Sequence, residues 1–565
     1  MGSDVSSVRH RAAPNHTEHM IRDFLLGQLR RFHPVGLALG LIFAVWSMTP
    51  SLLPRTWLLQ SVATGLSFVS GYVIGVVAAW LVRRCGISPS WSERTRRTGW
   101  WVLAAVAAIA IPAFLVLGSW WQEVVRDLVG APQPGRSRYL LVLLVAALVV
   151  AILVGFARLV RGASNRLTRY GSRYVPGPIA RTASVALLLV LALFLIDGAP
   201  YRALVGNIDE SFALADNGTA DDVEPPTQPE RSGSPESAEP FDSLGKEGRT
   251  FVASGPDAAE IEETIGRPAI EPIRAYAGRE AADSFDGIAA RVVAELDRTD
   301  AWSRDVLAVA TTTGRGWINE NLAQALEYTT AGDSAIASMQ YSYLPSPLAF
   351  LADRDSPPEA GRALFEAVYS RWDAMPEDAR PRLYVFGESL GSFGGQAAFS
   401  GEQDMLARVD GGIWTGTPHF TPQWQRITDD RDPGSPQRLP VIDDGEAVRF
   451  AASPSDLDLG TPWGEQRIVY WQHASDPIVW WSPDLILRRP DWLREPLGPD
   501  VDPGIRWLPA VTFWQVTLDM VFSADVPDGH GHAYGSDAAD LWAAILQQLD
   551  WTADDVATVR SALEE

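Results

Sequence analysis

The chain has 565 residues, more than one ordinary domain holds, and its single cysteine, Cys85, excludes an intramolecular disulfide or a zinc site built from cysteines. Residues 1–200 carry 20 arginines against 7 acidic residues, whereas the rest of the chain carries 27 basic and 62 acidic residues. Nucleic-acid binding needs a basic footprint that this acidic part lacks, so we expect no nucleic-acid partner.

A basic tail of residues 1–33 opens the chain, and five long apolar stretches follow it. Each stretch has the length of about 20 mostly apolar residues that a helix needs to cross a membrane. We therefore predict a cytoplasmic tail and an all-α transmembrane domain over residues 34–200, with Pro50 and Pro54 marking a kink or an interfacial loop. The interiors of the stretches lack Asp, Glu, Lys and His, which favours an anchoring or lipid-presenting role over transport. The predicted helices lie at about 34–53, 60–82, 100–120, 139–158 and 181–198.

Arginines cluster in the tail, in the second loop between the predicted helices and in the fourth loop. Positive residues mark the cytoplasmic side of membrane proteins, so we expect the first and third loops to face out. Five crossings then place everything after the fifth helix outside the cytoplasm, and one helix more or fewer would reverse this orientation. The arginines are Arg9, Arg11, Arg22, Arg30 and Arg31, then Arg83, Arg84, Arg94, Arg96 and Arg97, then Arg158, Arg161, Arg166, Arg169 and Arg173.

Residues 206–246 form an acidic stretch rich in Pro and Ser, which is typical of a flexible linker. Residues 250–565 then alternate short β-rich runs with segments of helix length, a pattern that predicts an α/β domain with a mostly parallel sheet. The predicted strands are Val306–Thr311, Ala335–Tyr341, Arg382–Phe386, Gly411–Trp414 and Arg467–Trp471, and the predicted helices are Ile318–Tyr328, Pro357–Ala374, Ser392–Phe399 and Asp537–Leu549.

Residues 387–391 read Gly-Glu-Ser-Leu-Gly and follow the predicted strand Arg382–Phe386, which gives the G-x-S-x-G pattern of a nucleophile elbow. In such an elbow a tight strand-to-helix turn exposes the serine hydroxyl, and glycines on both sides avoid a clash of a Cβ with neighbouring chain. An ordinary turn serine is the alternative. The apolar strand before the motif and the small-residue helix after it favour Ser389 as a nucleophile.

Elbow serines are followed along the chain by an acid and then by a histidine. His532 and His530 lie in a Gly-rich loop before the last predicted helix, and we interpret His532 as the base, with His530 as the alternative. A metal site on these two histidines would need a third ligand, and no nearby cluster supplies one. We therefore expect neither a metal nor a cofactor.

Asp476 follows the predicted strand Arg467–Trp471 and precedes a proline. This position suits a carboxylate that holds the Nδ1 atom of the histidine and stabilises its protonated form. It also suits a helix N-cap. Asp410 and Asp443 are weaker alternatives for the acid.

The oxyanion that forms during acyl transfer needs two backbone N–H groups aimed at it. Leu390, directly after the serine, is expected to supply one of them. Thr313 or Gly314, in the Gly-rich loop after the strand Val306–Thr311, is expected to supply the other. This loop has no complete G-x-x-x-x-G-K-[ST] or G-x-G-x-x-G pattern, so nucleotide binding is disfavoured.

A Trp-rich stretch lies between the predicted acid and the predicted base. We favour core packing for it, and a cap or acyl-chain groove for a lipid substrate is the alternative. Its tryptophans are Trp480, Trp481, Trp492, Trp507 and Trp514.

Five segments of the sequence resemble the bacterial membrane-anchored α/β-hydrolases, a family with an N-terminal multi-helix transmembrane domain. The segments are residues 51–55, 313–317, 340–346, 387–391 and 529–534. The resemblance covers nearly the whole chain apart from the tail and the linker. It implies an α/β-hydrolase domain with esterase- or lipase-like chemistry and names no substrate.

We therefore expect a serine hydrolase of the bacterial inner membrane, with membrane lipids as partners and a lipid or envelope acyl ester as substrate, acting through an acyl-enzyme on Ser389. An acyltransferase that uses the same three residues is one alternative. A catalytically silent envelope scaffold or lipid-binding protein is the other.

Overall fold

The computed structural model describes residues 32–87, 92–133, 136–197, 211–547 and 551–564. The chain divides into two compact units. The helical unit takes its residues from Met1–Thr49, Thr56–Trp120 and Arg136–Gly155, and the sheet unit takes its residues from Pro50–Arg55, Trp121–Gly135 and Phe156–Glu565.

Five apolar helices lie where the sequence predicts membrane spans. They are α1 (Pro34–Trp46), α2 (Trp57–Arg84), α3 (Glu93–Leu128), α4 (Val142–Gly171) and α5 (Gly177–Asp197). Among the described residues, three helical stretches are long and apolar enough to cross a membrane by length and composition: α2, α3, and α4 with the turn before it. The first predicted span is too long, because α1 ends at Trp46 and the residues around Pro50 and Pro54 are not helical.

Glycines let α1 and α2 approach each other closely. A Cβ at Gly71 would lie 2.6 Å from the carbonyl oxygen of Leu39, and one at Gly75 would lie 2.7 Å from that of Val35. Small residues at a helix contact are typical of packing between apolar helices in membranes.

The sheet unit contains seven strands in the order β1-β3-β2-β4-β5-β7-β6, and every pairing between neighbours is parallel. The predicted fold class, a helical N-terminal region followed by an α/β domain with a mostly parallel sheet, is confirmed. The strands are β1 (Ile273–Ala277), β2 (Val306–Thr311), β3 (Ser334–Met339), β4 (Arg382–Glu388), β5 (Gly411–Thr415), β6 (Val448–Ala451) and β7 (Arg467–Trp471).

Helices cover both faces of this sheet. Alternate residues of β2 point to opposite faces, as strand geometry requires: Leu307 and Val309 join one apolar cluster, and Ala308 and Ala310 join the other. The helices are α6 (Gly245–Ala253), α7 (Ala258–Ile265), α8 (Phe285–Arg298), α9 (Glu320–Thr329), α10 (Ser346–Ala352), α11 (Ser356–Asp373), α12 (Leu390–Gln396), α13 (Glu402–Arg408), α14 (Pro422–Asp429), α15 (Pro477–Trp480), α16 (Val511–Asp519), α17 (Ala538–Ile545) and α18 (Ala553–Leu563).

The Trp-rich stretch contributes mainly to the core. Trp480 and Trp492 are buried in the larger apolar cluster, and Trp481 and Trp507 pack against it. The expectation of core packing is confirmed for these four side chains.

The predicted flexible linker is wrong for residues 211–246, which belong to the sheet unit and of which residues 231–234 are buried; residues 206–210 lie outside the described residues. Arg231 forms a parallel bridge with Arg274 of β1 and thereby extends the edge of the sheet. Its buried guanidinium donates hydrogen bonds to the carboxylate of Glu271 and to the carbonyl oxygens of Val252 and Pro256. These charge-assisted hydrogen bonds stabilise the folded segment, whose polar composition leaves little apolar surface to bury.

Replacing Arg231 with methionine is expected to lower the free energy of unfolding by about 3 kcal/mol, because the buried acceptors around it lose a charged partner. Arg488→Met is the matched control: Arg488 pairs with Asp484 on the surface, at side-chain exposures of 78% and 72%, and its loss should cost less than about 1 kcal/mol. Denaturant unfolding of the detergent-solubilised chain, followed by tryptophan fluorescence, measures both values. Equal values for the two variants would contradict the packing described for this segment.

Candidate active site

Ser389 occupies a strained turn between β4 and α12. Its backbone has φ 56° and ψ −120°, a conformation that residues other than glycine rarely adopt. The turn is held in place because the N–H of Ser389 donates to the carbonyl of Thr415 at 2.9 Å. A Cβ at Gly391 would overlap the carbonyl oxygen of Thr311, and one at Gly387 would lie 2.8 Å from the carbonyl carbon of Gly391. The two glycines of the motif are therefore required by close approach of the chain.

Asp476 and His532 are in direct contact. Asp476 follows β7, and its Oδ2 atom lies 2.6 Å from Nδ1 of His532, while its Oδ1 atom accepts the N–H of Ile478 at 2.8 Å. Asp476 is fully buried. One carboxylate thus caps α15 and contacts the histidine, and the role of Asp476 as the catalytic acid stays a prediction.

The alternative acids and the alternative base lie elsewhere. Asp410 accepts the N–H of Leu383 at 2.7 Å. This contact lies at the amino end of β4, whereas Ser389 lies at its carboxyl end. Asp443 lies in a short turn before β6. His530 places its Nδ1 atom 3.5 Å from Asp500 and does not contact Asp476 in the described structure. Within the described part of the chain, no three His, Cys, Asp or Glu side chains gather as metal ligands.

Tyr534 is a member of the site that the sequence did not reveal. Its hydroxyl donates to Oδ2 of Asp476 at 2.8 Å, and its ring stacks on His473 with the centroids 4.2 Å apart. Burial lowers the pKa of His473 to about 4, so this imidazole stays neutral. Tyr534 therefore orients the carboxylate, and His473 supports the ring of Tyr534 without adding charge.

Glu388, the residue before the serine, is the second unexpected member. Its buried side chain accepts a hydrogen bond from Nδ2 of Asn319 at 2.6 Å, and its Oε1 atom lies 3.8 Å from Nε2 of His532. Burial raises the pKa of Glu388 to about 7. The variable position of the G-x-S-x-G pattern gives no signal for such a role.

His532 is thus placed between two carboxylates. Although burial lowers its pKa, the negative charges of Asp476 and Glu388 outweigh that effect and leave the pKa above its usual value. A Cβ at Gly416 would overlap the imidazole, so the backbone after β5 packs directly on the ring. Nε2 has no hydrogen-bond partner among the described residues and is the ring atom that can accept a proton.

The predicted oxyanion donors have different outcomes. The N–H of Thr313 donates to the carbonyl of Trp317 at 2.9 Å, so the prediction that this group is available to an oxyanion is wrong. The turn closed by this bond satisfies the N–H locally. Gly314 and Leu390 stay predictions, and a Cβ at Gly314 would overlap the carbonyl oxygen of Leu344.

Two sequence profiles match the chain. The profile described as "Alpha/beta-hydrolase family" matches residues 273–559, and the profile described as "Alpha/beta-hydrolase family N-terminus" matches residues 48–256. The first match contains all seven strands and the residues of the site. No curated protein and no solved structure was found to match the chain.

We predict that Glu388→Gln shifts the acidic limb of Ser389 reactivity to lower pH by about 1 unit. Around its pKa of about 7 Glu388 is partly ionised, and this charge stabilises the protonated imidazole of His532. Removing the charge therefore lowers the pKa of His532 and leaves more neutral base just below neutral pH. The rate of Ser389 modification by a fluorophosphonate, measured from pH 5 to 9, provides the test. Glu402→Gln, in α13, is the matched control and should leave the limb in place. A limb that is unmoved or moves to higher pH in Glu388→Gln would contradict this electrostatic role.

Proposed function

Because the chain belongs to the alpha/beta-hydrolase family, we propose that it is a serine hydrolase that cleaves an ester through an acyl-enzyme on Ser389. The observation that carries the proposal is the 2.6 Å contact between Asp476 and His532. Asp476 follows β7, His532 lies in the Gly-rich loop before α17, and Ser389 follows β4, and β4, β5 and β7 are neighbours in a parallel sheet. Their carboxyl ends therefore meet at one edge, where ligands bind in folds of this type.

In the proposed reaction the Oγ atom of Ser389 attacks the carbonyl carbon of the ester, and its proton moves to Nε2 of His532. Asp476 holds the Nδ1 proton and stabilises the imidazolium. The imidazolium then protonates the departing alcohol, which leaves an acyl group on Ser389. Water, deprotonated by His532, attacks the acyl carbon; the bond from that carbon to Oγ of Ser389 then breaks, the imidazolium returns the proton to Oγ, and the acid leaves. The N–H groups of Leu390 and Gly314 are the proposed donors to the oxyanion.

A membrane lipid or an acyl ester of the cell envelope is the proposed substrate class. The chain that carries the site also carries three helical stretches long and apolar enough to cross a membrane. An enzyme anchored in this way meets membrane-bound esters at high local concentration.

A fluorophosphonate probe tests the proposed nucleophile and base. We expect the wild-type chain to be labelled, Ser389→Ala to lose all labelling, and His532→Ala to react at least about 100-fold more slowly, because the serine loses its general base. His530→Ala is the matched control, since this histidine lies two positions away and contacts Asp500 instead. It should be labelled nearly as fast as the wild type.

Other outcomes would count against specific parts of the proposal. A folded wild-type chain that never reacts with the probe would overturn the serine-hydrolase function. Slow labelling of His530→Ala together with fast labelling of His532→Ala would overturn the assignment of the base.

For the cellular location we propose the bacterial inner membrane, with the hydrolase domain outside the cytoplasm. Two stretches at the C-terminal ends of α1 and α3 lie against the hydrolase domain. Asp519 accepts hydrogen bonds from Pro50–Arg55, and in Trp121–Gly135, which begins inside α3, a Cβ at Gly130 would lie 3.6 Å from Pro527. Both stretches therefore share a side of the membrane with everything after α5 when all five helices cross. The arginine-rich ends of α2 and α4 then face the cytoplasm, in accordance with the preference of positive residues for that side.

The single cysteine gives a direct test of this orientation. Cys85 is exposed at the end of α2, so a membrane-impermeant maleimide should label it in inside-out vesicles and not in right-side-out vesicles. In the double variant Cys85→Ser/Leu487→Cys the pattern should reverse, because Leu487 lies in the hydrolase domain and is 80% exposed. The opposite pattern in both chains would mean that the hydrolase domain faces the cytoplasm.

A further inference from the structure

A short segment between the first two apolar helices is bound by a single buried carboxylate. Asp519, at the end of α16, accepts the N–H of Leu52 at 3.2 Å and that of Leu53 at 3.4 Å through its Oδ2 atom. The same oxygen accepts the hydroxyl of Ser51, and Oδ1 lies 3.7 Å from Nε of Arg55. Four of the five residues from Ser51 to Arg55 therefore converge on one side chain, which is 3% exposed.

The segment is also held at its C-terminal end. The N–H of Arg55 donates to Oε1 of Gln122 at 2.5 Å, and its carbonyl accepts from Nη2 of Arg126 at 3.0 Å. Arg55, Gln122 and Arg126 are all buried. A loop that merely joined two helices would leave such backbone groups to water.

The two leucines of the segment enter the hydrolase domain. Leu52 is fully buried in the larger apolar cluster of the sheet. Leu53 is 2% exposed, and its Cδ1 atom would lie 3.2 Å from a Cβ placed at Gly531. Leu53 thus packs against the backbone of the residue directly before His532.

The loop that carries His532 depends on supports of this kind. Gly531 has φ +52°, its N–H donates to the Ser475 hydroxyl at 2.8 Å, and its carbonyl lies 3.0 Å from Nδ1 of His473. The N–H of His532 donates to the carbonyl of Ser523 at 2.7 Å. Polar bonds hold this turn, and the side chains of Val526 and Leu53 pack beside Gly531.

We propose that Ser51–Arg55 is a built-in support of the active site and that Leu53 is a positioning residue for His532. The catalytic domain is then completed by a segment that lies between two helices of the membrane region. This inference rests on the proposed function for its catalytic readout. Burial raises the pKa of Asp519 to about 6, so the carboxylate is mainly ionised at neutral pH and its charge needs the donors that the segment brings.

The test compares Leu53→Ala with Leu487→Ala in the full-length chain in detergent. Leu487 is an exposed leucine of the same domain and serves as the matched control. We expect the labelling of Ser389 by a fluorophosphonate to slow by about tenfold or more in Leu53→Ala, because small displacements of a general base are costly. Leu53→Met, which refills the space, should restore most of the rate, whereas Leu487→Ala should leave it unchanged.

Hydrogen exchange of residues 523–534 provides a readout that does not depend on catalysis. Leu53→Ala should accelerate exchange there, and Leu53→Met and Leu487→Ala should not. A wild-type chain that labels, together with a Leu53→Ala variant that labels equally fast and exchanges equally slowly, would overturn the support proposal and leave the hydrolase function intact. A wild-type chain that never labels would overturn the function, and the exchange comparison would then decide the support proposal alone.

Discussion

The carboxylate of Asp476 is the group on which the arrangement of the site depends. It is fully buried, so it must be surrounded by donors, and these come from two parts of the chain: the N–H of Ile478, and the hydroxyl of Tyr534 with the ring of His532. Tyr534 and His532 lie in one loop, which is also held by hydrogen bonds of Gly531 and His532 and against which Leu53 packs. The negative charge of Asp476 therefore connects the end of β7, the last strand along the described part of the chain, to the loop before α17.

Local composition was sufficient to predict the central strands of the sheet and insufficient to predict its two outer strands, β1 and β6. The bounds predicted for β2 and β7 agree with the structure, because both strands are uninterrupted β-rich runs. β1 and β6 were missed, since each has an arginine within a short apolar run, Arg274 and Arg449. Arg274 is buried against both carboxylate oxygens of Glu327, at 2.7 and 2.6 Å. Such a partner lies 53 positions away in sequence, so no local pattern indicates that the charge can be buried.

The candidate site likewise divides into residues that local sequence signals indicate and residues whose roles depend on distant contacts. Ser389, Asp476 and His532 were chosen as candidates from motif, chain order and position after a strand, which are local signals, and the structure brings Asp476 and His532 into contact. The roles of Glu388 and Tyr534 were missed because they depend on where a side chain points after folding. Thr313 was chosen for its place in a Gly-rich loop, but its N–H closes a turn with Trp317. Sequence thus indicates which residues have the right chemistry, and tertiary contacts decide which of their atoms are available.

The distance between Glu388 and His532 fits an electrostatic role better than a hydrogen-bonded one. At 3.8 Å the carboxylate is too far from Nε2 to accept a hydrogen bond, so it leaves that nitrogen free for the proton that the proposed mechanism takes from Ser389. The same distance is short enough for a buried charge to act strongly on the imidazolium. Asn319 fixes the geometry, because its amide donates to Glu388 at 2.6 Å and to the carbonyl of Tyr534 at 3.0 Å. Glu388, beside the candidate nucleophile Ser389, is thereby tied to the loop that carries His532, and Asn319 fixes the position of the one relative to the other.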